Sequence, residues 1–298
     1  MNENTFSRVT TNVETQDKPA THVPTLYLCA TPIGNLEDMT YRAVRVLGAV
    51  ELIAAEDTRH TRQLLTHFDI HTRLTSYHEH NKFEKGPELI AWMQEGHDLA
   101  CVSDAGLPGI CDPGSHLAQL AVEAGLTVTP LPGANAGLSA LICSGLDTMR
   151  FTFVGFLPKT AKKAQETLEE IKSRTDTLIF YEAPHHLRKT LATLTEILGG
   201  NRQAALGREL TKRFEEFQRG TLAELVAFYE THEPRGEYVI VVAGCGEEDV
   251  VPVDDKPTDP KALYEYYLAE GLPKKEAMRA AAKDLGISRR EVYNMLLE

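Results

Sequence analysis

The pattern that decides the fold is clearest in residues 99–114, LACVSDAGLPGICDPG. The apolar run Leu99–Ser103 predicts a buried strand, and a helical pattern over Ser115–Ala124 follows it. The loop between them, Ser103–Gly114, holds three glycines and two prolines. The glycines let the backbone approach a ligand closely, while the prolines restrict the loop. Loops after the strands of an open α/β sheet bind ligands, so we expect a binding loop here; a tight structural turn is the alternative.

The same alternation of apolar runs and helical patterns extends over residues 24–148. It predicts strands at Leu26–Ala30, Leu52–Ala55, Leu74–Tyr77, Leu99–Ser103 and Thr127–Leu131. Helices are predicted near Tyr41–Leu47, Thr61–Phe68, Glu84–Glu95, Ser115–Ala124 and Ala134–Cys143. Five strands joined by helices of crossover length indicate an N-terminal α/β domain with a mostly parallel sheet.

Residues 149–246 predict a second α/β domain with a mixed sheet. Its predicted strands are Phe151–Phe156, Thr177–Tyr181, Gln203–Glu209, Phe214–Gly220 and Tyr238–Ala243. Its predicted helices are Ala161–Ser173, 185–198 and Leu222–Tyr229. Some of these strands are joined by turns and others by helices, which is typical of a sheet that mixes parallel and antiparallel pairs.

The remaining segments differ from both domains in composition. We expect residues 1–23 to be a disordered tail, since they show almost no apolar periodicity. Residues 247–260 combine prolines with acidic residues and predict a linker. In residues 261–298 two helical patterns meet at Asp284–Ser288, where Gly286 ends one helix and Ser288 caps the next. This spacing predicts a small helix-turn-helix-like module.

Composition excludes several classes of protein. The chain has 298 residues, of which 42% are hydrophobic and 25% charged, as in globular proteins. Its net charge of -12 means that a nucleic acid would have to bind at a local basic patch. The five cysteines form no CxxC pair and are expected to be reduced. Because no signal-peptide pattern or long apolar run occurs, we expect a cytoplasmic protein without a membrane partner.

Two further Gly/Pro loops, Thr31–Leu36 and Pro132–Ala136, follow predicted strands of the first domain. Neither has the lysine of a Walker loop, and the first strand lacks a complete G-x-G-x-x-G. These loops therefore favour a cofactor without phosphate, held through main-chain contacts. His78-Glu79-His80 is not expected to bind a metal, because adjacent strand residues point to opposite faces and no other His or Cys cluster completes a site.

Several of these motifs together resemble a known family. In chain order they are Pro32–Asn35, Ala55–Arg59, Ser103–Gly114, Pro132-Gly133, Phe153–Pro158 and Phe180–Pro184. This order resembles the ribosomal RNA small subunit methyltransferase I family, within the tetrapyrrole-methylase-like superfamily of S-adenosylmethionine enzymes. The resemblance covers residues 25–245 and continues into the C-terminal helices.

The resemblance implies both a fold and an activity. The fold would be two α/β domains of tetrapyrrole-methylase type (class III methyltransferase) with a small C-terminal helical module, assembled as a homodimer. The activity would be 2'-O-methylation of a cytidine ribose in the decoding region of 16S ribosomal RNA within the small subunit, with S-adenosylmethionine in the cleft between the domains. No DNA partner is implied.

The resemblance also implies which residues contact the cofactor. From the two domains these are Pro32, Asp104, Gly106, Gly109, Ile110, Pro132, Ser139, Phe180, Tyr181 and Ala205. Leu107 and Cys111 stand where the family more often has Thr and Ser, so main-chain contacts are expected there.

A carboxylate or a lysine of lowered pKa could accept the proton of the ribose hydroxyl as the methyl group is transferred. The candidates are Glu56, Asp57 and Arg59, then Glu182, and then Glu209 with Lys212. The first group is preferred. Capping and a local ion pair are the alternative for that group, because it lies where a strand meets a helix. Glu209 and Lys212 could equally be a surface ion pair.

Basic residues cluster at two places. The candidates for RNA binding are Lys159, Lys162 and Lys163 in the second domain and Lys274, Lys275, Arg279, Arg289 and Arg290 in the helical module. Between residues 274 and 290 six basic residues face two acidic ones, which favours phosphate binding; solvated helical faces are the alternative. Two other functions stay open: a tetrapyrrole methylase of the same superfamily, which would need neither basic cluster, and a helix-turn-helix regulator, which would bind duplex DNA.

Overall fold

The computed structural model describes residues 22–246, 257, 259–269 and 271–296. Contacts between residues group the chain up to Gly244, with both sheets, into one compact unit, and the chain from Cys245 into another. The predicted tail 1–23, except for His22 and Val23, and most of the predicted linker 247–260 lie outside the described residues.

The first sheet is entirely parallel, as predicted. Its strands are β1 (Thr25–Cys29), β2 (Leu52–Ala55), β3 (Arg73–Ser76), β4 (Leu99–Val102) and β5 (Thr127–Leu131), in the order β3-β2-β4-β1-β5. Its helices are α1 (Tyr41–Ala49), α2 (Thr58–His67), α3 (Lys82–Gln94), α4 (Gly114–Glu123) and α5 (Ala136–Ser144). All five predicted strands and helices are confirmed, with ends that differ by a few residues.

Helices cover both faces of this sheet. Leu47 of α1 and Leu65 of α2 pack with Ile53 on one face. Met93 of α3 and Leu117 of α4 pack on the other face. Because the three central strands β2, β4 and β1 are buried between the helices, they are nearly continuous apolar runs. The carboxyl ends of all five strands meet at a single edge.

The second sheet is mixed, which also confirms the prediction. Its strands are β6 (Phe151–Phe156), β7 (Thr177–Glu182), β8 (Gln203–Arg208), β9 (Glu216–Thr221) and β10 (Tyr238–Val242), in the order β6-β7-β10-β8-β9. Only β6 and β7 pair in parallel. Helices α6 (Ala161–Ile171), α7 (Leu187–Leu198) and α8 (Leu222–Thr231) supply residues to the core on one face of this sheet.

Helix α5 joins the two sheets. It follows β5 of the first sheet, and its Ala140 and Leu141 pack with Ile179, Val239 and Val241 on the second sheet. The loops at the end of the first sheet are thereby held next to the second sheet.

The C-terminal unit contains three described helices, α9 (Pro260–Ala269), α10 (Lys274–Asp284) and α11 (Arg289–Met295). The prediction of two helical patterns was wrong at this point. Gly271 has a positive φ of 87°, and Pro273 precedes α10, so the first pattern is divided into α9 and α10. The turn predicted at Asp284–Ser288 is confirmed, since Ser288 and Glu291 form a capping box at the start of α11. None of the described helices has the length and apolar character needed to span a membrane.

Candidate functional site

The loops that follow β1 and β4 are directly hydrogen-bonded to each other. Thr31 and Gly106 exchange two backbone bonds, of 2.9 and 3.0 Å, and the Thr31 hydroxyl donates to the Ser103 carbonyl at 3.2 Å. The Asp104 carboxylate accepts a bond of 3.0 Å from the backbone N–H of Asp57, at the end of β2. Three strand ends therefore form one structure. Two of them carry predicted Gly/Pro loops, those after β1 and β4, and the third is the end of β2.

The loop after β4 is held in shape from within. One oxygen of Asp112 accepts bonds of 2.7 Å from the backbone N–H groups of both Gly109 and Gly114. A side chain at Gly114 would lie 2.6 Å from the Gly109 nitrogen, so only glycine allows this closure. Cys111 also has a positive φ, of 66°. This conformation is costly for a residue with a Cβ. The loop is therefore a rigid turn whose main chain faces a cavity.

This cavity, of about 390 Å³, lies between the loops of the first sheet and one edge of the second. Its volume is within the usual range for small-molecule sites, roughly 300–1,000 Å³. Eight of the predicted site residues line it: Glu56, Asp104, Gly106, Ile110, Tyr181, Glu182, Glu209 and Lys212.

The wall contributed by the first sheet is acidic. Burial raises the pKa of Glu56, and the neighbouring charges of Asp104 and Asp112 raise it further. Burial also raises the pKa of Asp112, although the hydrogen bonds from the N–H groups of Gly109 and Gly114 act to lower it. A carboxyl group with a raised pKa is a stronger base than an ordinary one. Glu56 is therefore the best-suited proton acceptor of the predicted set.

The wall contributed by the second sheet contains aromatic residues. The Tyr181 hydroxyl accepts a bond of 3.1 Å from the backbone N–H of Gly137, which fixes the ring against α5. The rings of Phe153 and Phe156 contact Tyr181 edge to face, at 5.1 and 5.6 Å between centroids. Burial raises the pKa of Tyr181, so its hydroxyl stays protonated at neutral pH.

Glu209 and Lys212 form a network with Glu237. The Lys212 ammonium donates to Glu209 at 2.8 Å and to Glu237 at 2.7 Å. Burial alone would raise the pKa of Glu209 and lower that of Lys212. The contacts outweigh it, so the pKa of Glu209 is lowered and that of Lys212 is raised. Glu209 and Thr211 both have positive φ values, 50° and 66°. Lys212 therefore remains a cation, and this geometry does not favour it as the base.

Glu182 also lines the cavity and is buried. Its two carboxylate oxygens accept bonds from the backbone N–H of Ala183, at 2.8 Å, and from the Thr190 hydroxyl, at 2.5 Å. These bonds fix the orientation of the side chain, so Glu182 is a less available proton acceptor than Glu56.

The other predicted catalytic residues do not line the cavity. Asp57 caps α2 by accepting from the backbone N–H of Arg59 at 2.8 Å, and it also pairs with the Arg59 guanidinium at 2.7 Å. The side chain of Arg59 is 88% exposed. The contact with Arg59 lowers the pKa of Asp57. The structure thus favours the capping alternative for this pair.

The remaining predicted cofactor residues do not line the cavity. They are Pro32, Gly109, Pro132, Ser139, Phe180 and Ala205. The Phe180 side chain is fully buried in the core on the opposite face of the second sheet, and Pro132 is exposed. That these residues contact the cofactor stays a prediction.

Several cavity residues were not predicted. Leu107 and Asp112 belong to the loop whose pattern was the strongest signal in the sequence. Glu237 and Val239 come from the start of β10, where an apolar run shows no sign of a site. The predicted RNA-binding residues are all exposed. Within the described ranges no three His, Cys, Asp or Glu side chains form a potential metal site.

Comparisons with known proteins assign the family. The pattern of the Tetrapyrrole (Corrin/Porphyrin) Methylases matches residues 25–226. Ribosomal RNA small subunit methyltransferase I of Halalkalibacterium halodurans is 50% identical over 273 residues, covering 91% of this chain and 94% of that protein. The chain belongs to the ribosomal RNA small subunit methyltransferase I family of tetrapyrrole methylases.

Other members of the ribosomal RNA small subunit methyltransferase I family agree. The Bacillus subtilis protein is 47% identical, covering 90% of this chain and 92% of its own, and the Synechocystis protein is 46% identical, covering 92% and 97%. These matches confirm the predicted family and the prediction of a methyltransferase. They argue against a regulator without enzymatic activity.

Solved structures confirm the fold class. The methyltransferase CobJ has a TM-score of 0.55 at 18% identity, covering 74% of this chain and 94% of its own. Uroporphyrin III C-methyl transferase from Thermus thermophilus has a TM-score of 0.52 at 16% identity, covering 73% and 96%. At these identities the likeness concerns the fold alone.

Proposed function

We propose that this protein transfers a methyl group from S-adenosylmethionine to the ribose 2'-hydroxyl of a cytidine in the decoding region of 16S ribosomal RNA. The observation that carries the proposal is the acidic cavity between the sheets, formed in a chain whose relatives at 46–50% identity are named ribosomal RNA small subunit methyltransferase I. The substrate would be the RNA within the small subunit. A cytoplasmic homodimer is part of the same proposal.

The charged and apolar residues that line the cavity suit this cofactor. S-adenosylmethionine carries positive charge at both its sulfonium and its amino group, and Glu56, Asp104 and Asp112 provide a complementary acidic wall. The apolar side chains of Leu107 and Ile110 lie in the same cavity, where an adenine ring could pack. The main chain of Ser103–Gly114 would form hydrogen bonds with the polar groups of S-adenosylmethionine.

When bound, S-adenosylmethionine supplies a methyl group on an electrophilic sulfonium. The protein then has to position the ribose oxygen in line and exclude water. Glu56 would accept the hydroxyl proton, because it lines the cavity and its raised pKa makes it a stronger base than an ordinary carboxylate. Lys212 would remain protonated and orient Glu209 and Glu237.

The decisive experiment supplies labelled S-adenosylmethionine and small ribosomal subunits that lack the modification. Label is expected on a single cytidine ribose of the decoding region. Label on a base, or on an added tetrapyrrole instead of RNA, would contradict the proposed substrate, and duplex DNA should neither shift in a gel nor accept label. Light scattering that shows a monomer at micromolar concentration would contradict the proposed homodimer.

A further inference from the structure

A second cavity, of about 600 Å³, adjoins the candidate active site. It lies beside the first turns of α6 and along most of α7, and it shares Phe156, Glu182 and Ala183 with the first cavity. An occupant of one cavity would therefore be in reach of an occupant of the other. The motifs Phe153–Pro158 and Phe180–Pro184 supply part of its lining, but none of the predicted cofactor residues lines this second cavity.

The charge of the second cavity favours an anion. Lys159 and Lys189 both line it, and among the described residues neither forms an ion pair. Of its two acids, Glu182 has both oxygens occupied by hydrogen bonds, and Glu196 lies almost two turns beyond Lys189 on α7. His185 and His186 add two exposed imidazoles, with ring centroids 4.1 Å apart.

The start of α6 reinforces this charge. Its N-cap makes no side-chain hydrogen bond, and Ala161 at this end lines the cavity. Free N–H groups at a helix start carry partial positive charge. At the start of α7, in contrast, the N–H groups of His186 and Leu187 donate to the carbonyls of Ala183 and Pro184. The lining also includes the apolar residues Leu157, Ala164 and Ile197.

Phe156 stands between the two cavities. Its ring is 58% exposed and rests edge to face on Tyr181. Exposed aromatic rings beside cationic groups bind single-stranded RNA by stacking on its bases. Two lysines that form no ion pair with the described residues, together with an exposed ring, distinguish this cavity from a surface that is merely charged.

The chemistry of the proposed substrate connects the two sites, and the following inference rests on that proposed function. In RNA, the carbon that carries the 2'-hydroxyl is bonded to the carbon whose oxygen joins the 3'-phosphate. An enzyme that holds the 2'-hydroxyl in the first cavity must therefore hold the next phosphate close by. We propose that the second cavity binds the nucleotide on the 3' side of the target cytidine, with its phosphate between Lys159 and Lys189 and its base against Phe156.

The test compares two variants that remove the same charge. Lys189→Gln removes a lysine of the cavity, whereas Lys172→Gln removes a lysine at the end of α6 that pairs with Glu169 outside the cavity. Binding of the full-length protein to small subunits lacking the modification is measured over a range of salt concentrations. Each phosphate contact to a single strand contributes about 0.7 to the slope of log K against log salt.

The slope is negative, and Lys189→Gln is expected to reduce its magnitude by about 0.7. The variant is also expected to raise KM for the subunits, while the affinity for S-adenosylmethionine is unchanged. Lys172→Gln is expected to leave the slope as in the wild type. Equal slopes for the wild type and both variants would overturn the inference. Since binding is measured without methyl transfer, this outcome is separate from a failure of the proposed reaction.

A second measurement identifies the occupant. A photoreactive benzophenone side chain at position 189 is expected to cross-link to the nucleotide that follows the methylated cytidine. A cross-link to a ribosomal protein, or to RNA distant from that cytidine, would show that the cavity does not bind the adjoining nucleotide.

Discussion

Lys212 lies directly against Gly34, across the boundary between the two sheets. A methyl group on Gly34 would come within 2.4 Å of Cγ and 3.0 Å of Cε of Lys212, and within 3.1 Å of the Thr211 hydroxyl. The loop after β1 thus fixes the side chain that bridges Glu209 and Glu237.

Gly34→Ala is therefore expected to displace Lys212 and to break its bonds with Glu209 and Glu237. Methyl transfer should fall at least tenfold, because a small misplacement of a positioning group is costly. Single-turnover rates with small subunits measure this effect.

Gly48→Ala is the matched control. Gly48 lies within α1 and has no atom within 4 Å of an added Cβ. This variant should be more stable by about 0.5–1 kcal/mol and fully active. If Gly34→Ala is equally active, the contact with Lys212 has no role in the reaction.

The pH dependence of the reaction tests Glu56. The pKa of Glu56 lies above its ordinary value of 4.5, and the protonated form cannot accept a proton. We therefore expect kcat/KM to fall with decreasing pH through a value above 4.5. Asp112→Asn keeps an oxygen for the N–H groups of Gly109 and Gly114 but removes a charge that raises this pKa.

This limb of the profile should move to lower pH in Asp112→Asn. Asp69→Asn, at an exposed position with a positive φ of 54°, should leave it in place. A limb that persists unchanged in Glu56→Gln would show that another group accepts the proton.

Asp57 provides a direct test of capping against catalysis. Asn is as good a cap as Asp, so Asp57→Asn should keep both the melting temperature and the transfer rate. Asp57→Ala should lower the melting temperature because the N–H of Arg59 loses its partner. Loss of transfer in a stable Asp57→Asn protein would support the catalytic alternative instead.

Most of the fold could be predicted from the sequence, because buried parallel strands are continuous apolar runs. Leu52–Ala55 was predicted with its correct ends. Helix α2 begins at Thr58 and not at Thr61, since the Asp57 cap extends it by a turn. The turn at Gly271 was missed within a continuous helical pattern.

The site could be predicted only where it depends on local sequence. The loop Ser103–Gly114 is recognisable because its shape requires glycines and prolines at fixed positions. Glu237 and Val239 reach the cavity only because β10 pairs between β7 and β8 at the centre of the second sheet. No local pattern encodes that pairing, so these residues become visible only in three dimensions.

The variant Thr190→Val tests whether the hydrogen bond from Thr190 to Glu182 stabilises the fold. Its hydroxyl donates to one oxygen of the buried Glu182 carboxylate, and the backbone N–H of Ala183 donates to the other. Thr190→Val removes one donor and leaves a buried carboxyl oxygen of Glu182 without that hydrogen bond. The free energy of unfolding should fall by about 1–3 kcal/mol, as measured by denaturant titration.

Thr167→Val is the control for this change. The Thr167 hydroxyl donates to a backbone carbonyl one turn earlier on the exposed side of α6, so the loss should stay within about 0.5 kcal/mol. Glu182→Gln should also be tolerated, since an amide can accept from Ala183 and donate to the Thr190 oxygen. If Glu182→Gln keeps its stability but loses methyl transfer, the carboxylate acts in the reaction itself, because the hydrogen bonds that hold the side chain would still be present.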